Sequence, residues 1–442
     1  MMKQLWIAVL FLAVGFLRGE ELRAGVGRMK LTPETQPVFL DGYAARSHAA
    51  TGMIHHVWAK ALVFDDGSSN RVALITADLV GIPRATKALV CAQLLRRYGI
   101  GPERVFFNAS HTHSGPKIWP RPDTADFTQE EKRTLLAQNR KYVDDMLAAV
   151  AMAITNLAPA RLSAGCGTAG FAINRRKAGV APVDHAVPVL RVAAPDGTVR
   201  AVLFNYACHN TTLTAENLMV SGDYAGFAML DLEAANPGAT ALFVQGCAGD
   251  QNPEPRHTVE WAKKHGREMA DAVQRVMAGG MRSVRGPIRT GDAEARLDFQ
   301  VDDLDAYFQE GQSPDPYRRN RATKVLESYN NGNPILSLPY EVRALRFGDD
   351  LALLFLGGEA VVDYALRAKR EYAREQLIVA GYSEWGCYIP SARVLKEGGY
   401  EGGGYSVYGA FPGPFKETVE ETVFDAVRKA MGKADVRAAT FP

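Results

Sequence analysis

Two histidines, His111 and His113, stand two apart in Ser110-His111-Thr112-His113-Ser114-Gly115-Pro116 and have the side chains best suited to chemistry. Imidazole is a common zinc ligand, and a catalytic zinc takes three or more protein ligands and leaves a position for water. Strand side chains two apart share a face, so both rings would point into one cavity if the preceding strand ran through them. Two ordinary strand-end histidines fit the same spacing. His209, in Cys208-His209-Asn210, ends an apolar run; taken alone, such a histidine is more often a hydrogen-bonded core residue than a ligand. Glu359 follows Gly357-Gly358 and opens a predicted helix, where an acid in the first turn is favourable in any case. Asp223 and Asp250 each fit two roles, orienting a ligating imidazole or capping the helix that follows. His48, His55, His56 and His185 fall in loops or at edges with no ligand pattern. His257 and His265 lie at or within a predicted helix, where a solvated face is expected.

The elements that would position these residues alternate strand and helix. Strands are expected over 71–77, 104–109, 187–193, 199–206, 239–245, 351–356 and 376–380. Helices are expected over 84–98, 129–157, 260–277 and 359–375, with another after Gly222. In the first of these, Leu89, Ala92, Leu95 and Tyr98 fall at helical spacing. The polar clusters at Asp78, 110–116, 208–210, 249–253 and Glu359 all follow strands. Ligands collect at the carboxyl ends of strands in α/β sheets, so one rim would gather all five. The implied fold class is α/β, a mixed, mostly parallel sheet flanked by helices with the site at the carboxyl ends of strands. No internal repeat is visible. Residues 300–339 are polar, aromatic and turn-rich, and read as an insertion over the sheet. Residues 398–414, rich in Gly and Tyr, read as an ordered loop.

The whole chain sets limits. Of its 442 residues 47% are hydrophobic and 23% charged, an ordinary globular balance. Basic and acidic residues number 51 and 49, for a net charge of +2, and no charge block points to nucleic acid. Lys3, the apolar stretch Leu5 to Leu17 and Gly19 form a signal-peptide pattern over 1–19, too short to span a membrane comfortably. An uncleaved anchor fits the same pattern. Cys91, Cys166, Cys208, Cys247 and Cys387 include no Cys-x-x-Cys pair, which argues against a thiolate zinc knuckle. One or two disulfides and buried free thiols are both open.

Several segments, taken in order, resemble the neutral/alkaline, non-lysosomal ceramidase family. They are Ala24-Gly25-Val26-Gly27-Arg28-Met29-Lys30-Leu31-Thr32-Pro33, Gly42-Tyr43-Ala44, the His111-Thr112-His113 motif, Asn174-Arg175, His209 with Ser221-Gly222-Asp223, Gly358-Glu359, Tyr388 and Tyr400-Glu401-Gly402. The resemblance runs from about Ala24 to Pro414. It implies a single catalytic domain over 20–442 without the carboxyl-terminal β-sandwich of larger ceramidases. It implies one zinc ion held by His111, His209, Glu359 and Tyr388, with His113, Arg175 and Tyr400 around the scissile amide. Zinc acidifies water and polarises a carbonyl. His113 would exchange protons, and Arg175 and Tyr400 would donate to the developing oxyanion. The implied reaction is hydrolysis of an N-acylated lipid such as ceramide by a secreted or periplasmic enzyme, with peripheral membrane contact. The chain departs from the family at Gly249-Asp250-Gln251-Asn252-Pro253, where Asn252 replaces a serine and removes any serine-acyl route at that position. It also lacks arginines near His55, His56 and Lys60. These departures keep two alternatives open: a zinc amidohydrolase for another N-acyl substrate, such as an amino sugar or peptide, and a non-catalytic binding protein on the same fold.

Overall fold

The structure is a computed structural model that describes residues 22–67, 71–118, 127–177, 179–301, 303–374 and 376–432. The expected leader over 1–19 lies outside the described residues. Three sheets carry the fold, and each is built in the same order. In the first, Arg23–Lys30, Trp58–Asp65, Val72–Ala77 and Val105–Ala109 lie side by side. In the second they are Arg161–Thr168, Ala186–Ala193, Val199–Tyr206 and Thr240–Gln245. In the third they are Ile288–Asp298, Ser337–Phe347, Leu351–Leu356 and Gln376–Ala380. The first three strands of each set are antiparallel neighbours. The third and fourth are parallel, joined by the helices Arg84–Tyr98, Asp223–Ala235 and Val362–Glu371 respectively.

This corrects two expectations. The sheets are mixed, with one parallel pair in each, and are not mostly parallel. Only strands joined through a helical crossover can run parallel here, and the remaining neighbours meet as antiparallel pairs. An internal repeat also exists, as a threefold repeat of topology. Each unit closes with a second helix, Gln129–Thr155, Val259–Ala278 or Val419–Ala430, laid across its first strand. Glycines make that crossing close. A Cβ on Gly25 would sit 1.9 Å from the Ala153 carbonyl oxygen, and one on Gly291 would sit 2.0 Å from that of Ala430.

The three sheets turn one face inward on a shared core and the other outward on their own helices. Phe64, Leu74, Phe106, Leu203, Leu242, Val244, Phe347, Leu353 and Phe355 fill the centre. Their strand neighbours, such as Val63, Ile75 and Phe107, pack under the helices. In the central strands, such as Val72–Ala77, Thr240–Gln245 and Leu351–Leu356, both faces are buried, so these read in sequence as unbroken apolar runs. Among the described residues, no helix is long and apolar enough to cross a membrane. All five cysteines are free thiols.

Residues 299–336 form the connection between the first two strands of the third sheet and contain two helices, Leu304–Glu310 and Pro316–Asn330. The second lies against the turn near Tyr408, with Tyr317 and Tyr408 rings 5.0 Å apart.

Candidate functional site

The carboxyl ends of the central strands from all three units meet at one place, tied by side-chain amides. Asn108 donates to the main-chain oxygens of Gln245 (3.2 Å) and Gly381 (2.8 Å), and Asn210 donates to that of Ser110 at 2.5 Å. His111 comes to this point from the first unit, His209 from the second, and Glu359 and Tyr388 from the third.

The strand ends at Ala109, so strand alternation does not place the two histidines of the His-x-His motif. His111 instead takes a left-handed backbone, φ 58°, uncommon for a residue other than glycine. The turn still brings the rings together, with the His111 and His113 Nε2 atoms 3.1 Å apart. Glu359 does not open the helix either. It lies in a two-residue parallel bridge opposite Tyr388, and the helix begins at Val362. That bridge sets the carboxylate and the phenol side by side.

The hydrogen bonds on the ring nitrogens define the tautomers. His111 Nδ1 lies 2.6 Å from the Val80 carbonyl oxygen, and His209 Nδ1 lies 2.7 Å from that of Ala248. A carbonyl oxygen only accepts, so each Nδ1 carries the hydrogen and each neutral Nε2 presents a lone pair. Those lone pairs face a carboxylate: Glu359 Oε2 lies 3.4 Å from His111 Nε2 and 3.2 Å from His209 Nε2. Tyr388 Oη lies 3.4 Å from His209 Nε2. Zinc with bonds of about 2.0–2.2 Å separates tetrahedral donors by roughly 3.3–3.5 Å, so this set fits a cation among them. His111, His113 and His209 form a second, overlapping set, with donor atoms within 4.8 Å of one another. The set with Glu359 adds a carboxylate to two of these histidines.

Burial dominates the electrostatics. It pulls His209 down to about 4, with Arg175 adding to the effect. His113 is also held well below its ordinary value, by burial first and then by His111 and His209. Burial opposes ionisation of Glu359, but its contacts with the two imidazoles hold the carboxyl well below the usual range. A metal ion needs a neutral imidazole, which burial favours at His209, and an ionised carboxylate.

Around this centre, Arg175 Nη2 donates to Tyr388 Oη at 2.9 Å, and the Tyr388 and Tyr400 rings lie 5.2 Å apart. His113 Nδ1 is buried without a hydrogen-bond partner, and its ring is held edge-on by Tyr43 at 4.7 Å. Asn252 Oδ1 lies 3.4 Å from Arg175 Nη1.

Asp223 and Asp250 do not orient an imidazole, since main-chain carbonyls do that. Asp250 accepts from the Val362 amide, 2.9 Å, and from Asn174, 2.7 Å. Asp223 accepts from the Leu213 amide at 2.8 Å. His265 is buried rather than solvated and stacks on Phe171, 4.5 Å between ring centres. Sequence reasoning missed Tyr382, whose ring lies 4.4 Å from that of His111, and gave no role to Glu401. Tyr382 follows a strand as His111 does, and that shared position is the signal that could have found it.

The fold and the site together define a mixed α/β protein with a histidine–carboxylate cluster where three sheets meet. Residues 22–279 match the family described as neutral/alkaline non-lysosomal ceramidase, N-terminal, and the chain belongs to that family. The neutral ceramidase of Pseudomonas aeruginosa is 27% identical over 252 residues, 52% of this chain and 37% of that protein. That of Mycobacterium tuberculosis is 27% identical over 259 residues, 52% of this chain and 40% of that protein. These matches thus span about two fifths of each relative. The crystal structure of the Pseudomonas aeruginosa neutral ceramidase superposes with a TM-score of 0.73 at 20% identity, covering 96% of this chain and 76% of that one. It shares the fold.

Proposed function

We propose that the protein is a zinc-dependent hydrolase that cleaves the amide bond of an N-acylated lipid such as ceramide, giving a sphingoid base and a fatty acid. The observation that carries this reading is the convergence of two imidazole lone pairs on the Glu359 carboxylate at 3.2–3.4 Å. His111, His209, Glu359 and Tyr388 would hold the ion. When bound, zinc supplies a Lewis acid and lowers the pKa of water.

The other residues are assigned by position. His113, next to the cluster, exchanges protons with the attacking water and the leaving amine. Arg175 and Tyr400 donate hydrogen bonds to charge developing on the amide oxygen. Arg175 suits this because its guanidinium stays charged at any working pH. Rings of Tyr388, Tyr400, Tyr408 and Tyr317 follow one another at centroid distances of 5.2, 5.9 and 5.0 Å. Such an aromatic row supports a lipid chain as part of the substrate, with the helix Pro316–Asn330 backing its outer end. Tyr400 and Tyr408 are 43% and 44% exposed, which supports peripheral contact with a lipid surface.

Asn252 supports a second reading, a zinc amidohydrolase for a different N-acyl compound. Its carboxamide stands beside Arg175, at 3.4 Å, at the position where the resemblance to the family implies a serine.

Metal content by mass spectrometry, on the purified protein and a His111→Ala variant, tests the core of the proposal together with fatty-acid release from ceramide. About one zinc per chain, lost in the variant, with ceramide turnover only in the wild type, is expected. Zinc binding without ceramide turnover would favour the second reading. Absence of zinc from the intact protein would overturn the ligand assignment.

A further inference from the structure

Glu401 lies between two arginines at the rim of the site. It is 6% exposed. Its Oε1 accepts from Arg175 Nε at 2.7 Å, and its Oε2 accepts from Arg176 Nη1 at 2.7 Å. Arg176 Nη2 also donates to the Gly398 carbonyl at 2.8 Å. One carboxylate therefore ties Asn174-Arg175-Arg176 to the turn that carries Tyr400. Gly398 and Gly399 have φ of 68° and 75°, a region glycine enters freely and other residues rarely.

The carboxylate also fixes what Arg175 can offer. A guanidinium has five N–H bonds. Nε donates to Glu401, Nη2 to Tyr388 Oη at 2.9 Å, and Nη1 to Asn252 at 3.4 Å. One N–H on each terminal nitrogen remains for a ligand, as a fork of fixed direction. Both Glu401 oxygens are taken by guanidinium groups, so the carboxylate is not placed to act as a base.

We propose that Glu401 is a positioning residue: it aims the Arg175 fork and holds the Tyr400 turn closed on the site, without touching the reacting amide. This rests on the amide-hydrolase reading above. A glutamine there would keep the shape, but it would present an NH2 group to one of two guanidinium donors. That would release either Arg175 or Arg176.

The test compares Glu401→Gln and Glu401→Asp with the wild type by zinc content, steady-state kinetics on ceramide and amide hydrogen exchange over 397–409. Glu401→Gln should keep its zinc and a KM within about threefold, while kcat falls roughly 10- to 100-fold, the scale of a small misplacement of a catalytic group. Glu401→Asp should recover part of kcat. Exchange over 397–409 should accelerate in Glu401→Gln and stay unchanged in the central strands. An unchanged kcat, or an equal loss of zinc and of fold in Glu401→Gln, would overturn the proposal. If the wild type itself does not turn over ceramide, the substrate reading fails. Exchange then decides alone: acceleration confined to 397–409 supports the clamp, and no change removes it.

Discussion

At the scale of single residues, the site depends on groups that are held rather than merely present. His113 shows this most directly. A Cβ on Gly42, whose φ is 96°, would lie 2.4 Å from His113 Cγ. Gly42→Ala should therefore displace the ring and strain its own backbone. We expect turnover to drop at least tenfold with zinc content unchanged, and a loss of about 1–3 kcal/mol in unfolding free energy. Retention of full activity in that variant would show that the His113 ring is not fixed by this contact. A second expectation concerns Asn252. Asn252→Ser removes a carboxamide 3.4 Å from Arg175 and should raise kcat/KM for ceramide relative to a smaller N-acyl substrate. No change in that ratio would take substrate choice away from this position.

At the scale of elements, much was legible. Leu351–Leu356, Val199–Tyr206 and Gln376–Ala380 form strands over the expected residues, and Arg84–Tyr98 forms the expected helix. The apolar residues whose spacing marks it are not the ones it buries. Leu89 and Leu95 are 59% and 50% exposed, while Lys87, Val90, Cys91 and Leu94 point inward. The helix is apolar on two sides, so spacing alone could not choose between them, and a buried lysine reads as a surface residue. Lys87 is accommodated because it bonds Glu341 at 3.0 Å and Glu384 at 3.1 Å. Glu359 was misplaced for a related reason, since two residues of bridge carry no periodicity. Two measurements follow. Leu94→Ala should cost about 2–5 kcal/mol in chemical denaturation, as for a buried leucine, and Leu89→Gln less than about 0.5 kcal/mol. Equal costs would contradict the packing. Burial raises the Glu341 carboxyl, but Arg343 and Lys87 outweigh it and hold the pKa down to about 2. A depressed carboxylate stabilises the fold above its unfolded value and loses that contribution as pH falls through the folded one. Stability should thus decline by roughly 2 kcal/mol between about pH 4.5 and pH 2 through this group. Glu341→Gln should flatten that part of the pH–stability curve, and an unaltered slope would assign the acid sensitivity elsewhere.

At the scale of the whole molecule, three units of equal topology share one core and one site. The repeat escaped the sequence because it lies in strand order and in where helices cross, which different apolar residues satisfy equally well. The proposed ligands are divided among the units: His111 from the first, His209 from the second, Glu359 and Tyr388 from the third. A cation bound there would link all three, and a ligand that binds only the folded state stabilises it by mass action. At a free zinc concentration one hundred times the dissociation constant that amounts to about 2.7 kcal/mol. For a chain of this size it corresponds to a rise of roughly 3 °C in melting midpoint. Because the central apolar core joins the units directly, melting should remain one transition with or without the metal, and only its midpoint should move. Calorimetry of chelator-stripped protein titrated with zinc checks both points, with His111→Ala as the control that should not respond. A midpoint indifferent to zinc would mean that the site does not tie the units together. A splitting into separate transitions on chelation would mean that the ion, rather than the shared core, holds them as one body.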